Sequence, residues 1–106
     1  MDRENISFYE RCIEVWGKDA QIKMCIEEMS ELIKELCKNW RQDKAGTPEQ
    51  IEHICEEIAD VQNMIDQMQL IFGEERVEQY REYKIERTKR KLDKESKING
   101  IKEKRL

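Results

Sequence analysis

The sequence predicts an all-α protein, and three features support this fold class. The 106 residues include only four Gly and one Pro, which is too few for the many turns of a β fold. Charged residues make up 42% of the chain, as is typical of long amphipathic helices. Apolar residues recur three and four positions apart over long stretches. We therefore expect a four-helix bundle with a central antiparallel helix hairpin over residues 19–72.

The first two helices are predicted from their apolar faces. Residues 6–16 form the first helix, which Gly17 is placed to end. Its apolar face consists of Ile6, Tyr9, Ile13 and Trp16. The second helix runs from about Asp19 to Arg41, and its main apolar seam consists of Ile22, Cys25, Met29, Leu32 and Leu36. A second stripe beside this seam, which we expect to meet another helix or a second subunit, consists of Ile26, Ile33 and Trp40.

The third helix has the clearest start signal in the chain. After a predicted loop at residues 42–47, Thr47 is placed as the N-cap, with Pro48 in the first turn and Gln50 completing a capping box. The helix should run to Phe72 and end at Gly73. Its predicted seam consists of Ile51, Ile54, Ile58, Val61, Ile65, Met68 and Phe72.

A fourth helix, with a weaker apolar stripe, is predicted to start at Glu74 or Glu75. Beyond Leu92 the chain becomes rich in Lys and Glu, and we expect it to fray or to be disordered. We therefore divide the chain into one domain, 1–92, and a basic C-terminal tail, 93–106. The tail has no aromatic residues between its cations and the protein is acidic overall, so we expect no nucleic-acid partner.

A repeated acidic pattern lies inside the predicted hairpin. The run IEEMSEL, residues 26–32, and the run CEEIADV, residues 55–61, carry the same pattern 29 positions apart. Glu28 and Glu31 in the first run correspond to Glu57 and Asp60 in the second. Folding about residues 42–47 pairs position i with about 89 minus i, so the four carboxylates should converge on one side of the hairpin.

Such a cluster favours a bound cation. Two carboxylates about 4 Å apart repel by roughly 4 kcal/mol at an effective dielectric near 20. Carboxylate oxygens are hard ligands that suit Mg²⁺ or Mn²⁺. The alternative interpretation is a solvated acidic face on a charged helix. The repeat and the hairpin geometry favour the metal site.

These residues resemble the signature of the MazG-like nucleotide pyrophosphohydrolases, within the all-α NTP pyrophosphatase superfamily. That signature is EExxE followed some two dozen residues later by ExxD. It is present here as Glu27-Glu28-Met29-Ser30-Glu31 and Glu57-Ile58-Ala59-Asp60, and the resemblance covers about residues 20–92. It implies Mg²⁺-dependent cleavage of a nucleoside triphosphate to the monophosphate and pyrophosphate.

The resemblance also implies roles for individual residues. Glu28, Glu31, Glu57 and Asp60 would hold the metal, and Glu27 would either assist the attacking water or face solvent. In the basic segment 84–106, Lys84 fits the first position of a K-x-x-x-N-x-x-R motif found in relatives. Thr88 and Lys91 replace the Asn and the Arg of that motif, which leaves the base or sugar contact in question. The predicted phosphate ligands are Lys84, Arg87 and Lys91.

Aromatic residues and oligomeric state complete the expectations. Trp16 and Trp40 are candidates for stacking on a base, against the alternative of packing in the core. Only 38% of the residues are apolar, so the core of a monomer would be thin. We expect a homodimer or homotetramer that completes the bundle, as the resemblance also implies.

Three further expectations concern location, cysteines and rival functions. No apolar run is long enough to span a bilayer and the N-terminus is charged, so we expect a soluble, cytoplasmic protein. Four widely spaced Cys with no CxxC predict core residues rather than a zinc site or disulfide framework. The rivals to the enzyme are a non-catalytic assembly or regulatory module with a structural cation site, and a helical interaction domain with a basic tail.

Overall fold

The structure, a computed structural model, describes residues 1–42 and 46–98. Four α-helices and no β-strand are present within these residues, which confirms the all-α prediction. The helices are α1 Arg3–Trp16, α2 Lys18–Gln42, α3 Pro48–Phe72 and α4 Glu74–Ile98. They fall into two compact units, of which the first spans Met1–Gly73 with α1 to α3 and the second begins at Glu74.

The helix ends follow the capping signals of the sequence. The Thr47 side chain accepts a hydrogen bond from the Gln50 N–H at 3.2 Å, and the Gln50 side chain accepts one from the Thr47 N–H at 2.8 Å. This confirms the predicted capping box. Helix α1 begins three residues earlier than predicted, because the Asp2 side chain accepts from the Glu4 N–H and caps the helix.

The antiparallel hairpin of α2 and α3 has the predicted register. Its clearest marker is a buried hydrogen bond from Gln21 Nε2 to Gln67 Oε1, at 2.6 Å. These two positions sum to 88, within one residue of the value of 89 predicted from the loop. Helix α1 packs against both helices of the hairpin, and the Tyr9 hydroxyl donates to Asn63 Oδ1 of α3 at 3.2 Å.

The predicted apolar seam is wrong in its rotation about the helix axes. The buried or half-buried residues at heptad spacing on α2 are Gln21, Cys25, Glu28, Leu32, Glu35 and Asn39. Those on α3 are Gln50, Ile54, Glu57, Val61, Met64, Met68 and Ile71. Only alternate members of the predicted seam belong to these rows, whereas Met29, Leu36, Ile58 and Ile65 are exposed. On each helix the apolar residues span a wider arc than one neighbouring helix covers. The covered part of the helix surface lies toward the side that carries Glu28 on α2 and Glu57 on α3.

The core of the first unit is small. Among the described residues, the buried apolar side chains are Tyr9, Cys12, Cys25 and Met64. Two of the four predicted core cysteines, Cys37 and Cys55, are exposed instead. The α2 stripe predicted to need a partner is also exposed within the chain, by 55% at Ile26, 62% at Ile33 and 67% at Trp40.

Helix α4 is highly charged and mostly exposed. Its local ion pairs include Arg81 with Glu78 at 3.0 Å and Lys89 with Glu86 at 3.3 Å. The helix continues through residues 93–98, past the point after Leu92 where the composition predicts fraying. Residues 99–106 of the predicted tail lie outside the described residues. None of the helices in the described part combines the length and apolar character that crossing a membrane requires.

Candidate metal centre and adjoining cavity

Three carboxylates from two helices meet on the hairpin. Glu28 of α2 and Glu57 and Asp60 of α3 each offer an oxygen, and these oxygens all lie within 4.8 Å of one another. Glu28 and Glu57 are half-buried because they occupy the rows between the helices, whereas Asp60 is exposed. The structure thus brings together three of the four predicted metal ligands, and we call these three residues the acidic cluster.

The acidic cluster is electrostatically strained. Burial raises the pKa of Glu28 above its ordinary value, and the charges of Asp60 and Glu57 raise it further. A hydrogen bond that Glu28 shares with Asp60 acts in the same direction. The pKa of Glu57 is also raised, by burial first and then by Asp60 and Glu31. Glu28 and Glu57 therefore both resist full ionisation beside the neighbouring charges.

The donor set and its spacing fit a small divalent cation. Mg²⁺ bonds to oxygen at about 2.1 Å, so two oxygens on one ion lie up to about 4 Å apart. The oxygens of the acidic cluster lie within 4.8 Å of one another, which is close to that spacing. Within the described part of the chain, Glu57 Oε2 is shielded from solvent and has no hydrogen-bond partner. An unpartnered oxygen at this position is available to a cation.

The remaining predicted acidic residues lie around the cluster. Glu31 is exposed and outside the three, but it is near enough to raise the pKa of both Glu28 and Glu57. Glu27 is exposed on α2. Glu35, which the motif did not indicate, is half-buried one turn after Glu31 and also raises the pKa of Glu57. Glu35 follows Glu28 by seven residues, and this heptad spacing was the sequence signal that both lie on the same half-buried row of α2.

The three predicted phosphate ligands all lie on α4, in the second unit, and all are exposed. The Lys84 carbonyl accepts a hydrogen bond from the Thr88 hydroxyl at 2.8 Å, within the helix. The Arg87 guanidinium lies over the Tyr83 ring, 5.9 Å from its centroid. Lys91 is exposed one turn further on. Their contact with phosphate stays a prediction.

The two tryptophans occupy different parts of the first unit. Trp40 is twelve positions after Glu28 on α2, about 18 Å along the helix axis. Trp16 lies at the end of α1 and lines a cavity of about 730 Å³ between α1, α2 and α3. The role of either residue in stacking on a base stays a prediction, and Trp16 has a cavity beside it.

This cavity contains residues that the sequence pattern did not indicate. Gln21 and Gln67 line it and are each only 5% exposed. Tyr9 lines it too, with a pKa raised by burial and by the neighbouring charge of Asp66. The pairing rule for the hairpin places residue 21 opposite residue 68, one position from Gln67, and this was the available signal.

A comparison with models of known protein families, with curated proteins and with solved structures finds no match to this chain.

Proposed function

We propose that the chain is a Mg²⁺-dependent nucleoside triphosphate pyrophosphohydrolase that acts on unwanted nucleotides of the pool. The observation that carries the proposal is the acidic cluster, since its carboxylates come from two helices and meet in a strained group. A solvated acidic face would let these side chains spread apart, because like charges repel. The positions of Glu28 and Glu57 on the rows between the helices favour a site built for a cation, either Mg²⁺ or Mn²⁺.

The chain's own residues would divide the work as follows. Glu28, Glu57 and Asp60 would hold the cation. Glu31, whose charge acts on both Glu28 and Glu57, would be the fourth ligand. When bound, the ion neutralises the polyphosphate and polarises the phosphorus under attack. Glu27, which is exposed beside Glu28 in the sequence, would accept the proton that the attacking water loses. The water oxygen would bond to the α-phosphorus while the bond from that phosphorus to the bridging oxygen breaks, and pyrophosphate would leave.

The test is pyrophosphate release from a panel of ribo- and deoxyribonucleoside triphosphates, with Mg²⁺ and with EDTA. Glu57→Gln should lower the rate by more than about 100-fold, since even groups that merely support metal ligands contribute about 10- to 100-fold. Glu52→Gln is the matched control, because Glu52 is an exposed carboxylate on the same helix. Wild-type release in Glu57→Gln would refute the assignment of the site.

The same assay separates the rival functions. A cation-stabilised assembly module would release no pyrophosphate from any substrate, yet Mg²⁺ would raise its melting temperature. A helical interaction domain with a basic tail would show neither response. Measuring the melting temperature beside the enzyme assay therefore assigns each result to one of the three functions.

We also propose a MazG-like four-helix bundle that a homodimer or homotetramer completes. The support is the exposed apolar stripe of Ile26, Ile33 and Trp40 on α2, together with exposed Ile58 and Ile65 on α3. Fully burying one such aliphatic side chain is worth about 1.5 to 3 kcal/mol. A second copy of the chain presents the same stripe and can cover it symmetrically.

Light scattering, measured as the protein elutes from a size-exclusion column, tests the oligomeric state. We expect a mass of two or four times the 12.9 kDa of one chain. Ile33→Asp should reduce that mass to one chain at micromolar concentration, whereas Lys38→Asp, exposed on α2 away from the stripe, should not. A wild-type mass of one chain would refute the proposed assembly.

A further inference from the structure

The cavity between α1, α2 and α3 is lined by flat apolar rings and by amides. Phe8, Tyr9 and Trp16 supply the rings, and Asn5, Gln21, Asn63 and Gln67 supply the amides. Among the described residues that line it, none carries a formal charge. Aromatic walls with a few amide groups suit a planar, uncharged heteroaromatic ring. A phosphate would gain no charged partner from this lining.

The two buried glutamines give the cavity a directional hydrogen-bonding group. Gln21 Nε2 donates to Gln67 Oε1 at 2.6 Å, which uses the carbonyl of Gln67. The Nε2 of Gln67 faces the thioether sulfur of Met64 at 3.9 Å. A thioether is a weak acceptor, whereas a carbonyl oxygen is a strong one. A ligand that brings a carbonyl oxygen to this nitrogen therefore forms a stronger hydrogen bond than the Met64 sulfur does.

The acidic cluster lies two helical turns from the glutamines of the cavity. Gln21 precedes Glu28 by seven residues on α2, and Gln67 follows Asp60 by seven residues on α3. Because the helices are antiparallel, both displacements point the same way, and each is two turns, or about 10 Å. An extended nucleoside triphosphate covers that distance between its base and its polyphosphate.

We propose that this cavity is the nucleobase subsite and that Gln67 selects bases with an exocyclic carbonyl oxygen. The inference rests on the proposed function, because the polyphosphate must lie at the acidic cluster. Cytosine, uracil, thymine and guanine carry such an oxygen, and adenine does not. The rings of α1 hold the base by stacking, and the Gln67 amide donates to its carbonyl.

The first experiment measures nucleoside binding without metal or phosphate. The chain has two tryptophans, so Trp40→Phe leaves Trp16, which lines the cavity, as the sole fluorescent reporter. Cytidine, uridine and guanosine should quench its emission in EDTA, and adenosine should bind about tenfold more weakly, the value of one hydrogen bond. Equal affinity for adenosine, or no quenching by any nucleoside, overturns the proposal.

The second experiment tests Gln67 itself. Gln67→Leu should weaken cytidine and guanosine binding about tenfold and leave adenosine binding unchanged. Gln79→Leu is the control, because it makes the same change at an exposed glutamine of α4. If Gln67→Leu does not fold, as judged by its circular dichroism, the nucleoside preference of the Trp40→Phe protein still decides the question.

The two proposals fail in different ways. Selective nucleoside binding without pyrophosphate release from any triphosphate refutes the enzyme and supports the cavity as a base site. Pyrophosphate release that depends on Glu57, with the same ratio of kcat/KM between guanine and adenine substrates in wild type and Gln67→Leu, supports the enzyme and overturns the base subsite.

Discussion

Replacing Glu28 by Gln is expected to stabilise the metal-free protein at neutral pH. The change removes one charge from the acidic cluster, where the oxygens of Glu28 and Asp60 lie within 4.8 Å of each other. At that separation their repulsion is about 3.5 kcal/mol at an effective dielectric of 20 and about 0.9 kcal/mol in water. Since Asp60 is exposed and Glu28 is only half-buried, solvent screening favours the lower value, and we expect a gain of about 1 kcal/mol.

The stability that Glu28→Gln gains over the wild type should depend on pH in a defined direction. The pKa of Glu28 in the folded protein lies above its ordinary value of 4.5, so the folded state holds its proton more tightly than the unfolded state does. The stability that this proton contributes is fully present below the ordinary pKa and is lost as the pH rises through the raised one. The advantage of Glu28→Gln should therefore be present at neutral pH and absent near pH 4.

The assay is thermal unfolding in EDTA, with Glu52→Gln as the exposed control for loss of one negative charge. A gain of about 1 kcal/mol corresponds to about 4–8 °C in a domain of this size. Adding Mg²⁺ should reverse the order, because a saturating ion at 100 times its Kd stabilises the wild type by about 2.7 kcal/mol and the variant by less. A lower melting temperature for Glu28→Gln than for Glu52→Gln, at neutral pH in EDTA, would refute the repulsion on which the metal site depends.

Two further predictions concern the hairpin connection and its helix start. Thr47→Ala removes the hydroxyl that accepts from the Gln50 N–H and should cost about 1 kcal/mol in urea unfolding, whereas Thr88→Ala, at an exposed hydroxyl within α4, should cost less than half of that. Gly46→Ala should cost about 1–2 kcal/mol, because Gly46 has a φ of 75° and an added Cβ would lie 2.5 Å from Asn39 Oδ1. Asn39→Ala should recover part of that cost, and an unchanged cost in the double variant would show that the contact with Asn39 is not its source.

The helices and their register could be predicted because their signals are local. Thr47 and Gln50 define the start of α3 through two hydrogen bonds, each from the backbone N–H of one residue to the side chain of the other, and Gly73 follows the last turn of the helix. The length of the connecting loop then sets which residues of α2 and α3 lie opposite each other. The predicted sum of 89 and the observed pair Gln21–Gln67 agree to one position. Neither the start of α3 nor the register of the hairpin therefore required knowledge of long-range contacts.

The rotation of the helices could not be predicted from the apolar pattern. Ile26 and Met29 extend the apolar arc of α2 to one side of Cys25, while Glu28 lies on its other side. Centring the seam on the apolar arc is the natural prediction for a helix that has one partner. In the structure the arc is shared between the covered row and an exposed stripe, so Glu28 is half-buried and Met29 is 37% exposed. Glu35 was missed for the same reason, since it lies on the covered row but outside the repeated motif.

The buried Gln21–Gln67 pair has a consequence for folding specificity. Two leucines at these positions would pack in several registers of the two helices, whereas the two amides form their hydrogen bond only in the register that places them opposite each other. Sliding one helix by a single turn would leave both amides without a partner in an apolar setting, at a cost of about 1–3 kcal/mol for each unpaired group. The same slide would move Glu28 away from Asp60 by about 5 Å. The glutamine pair therefore acts as a register lock that holds the carboxylates of the two helices at one height.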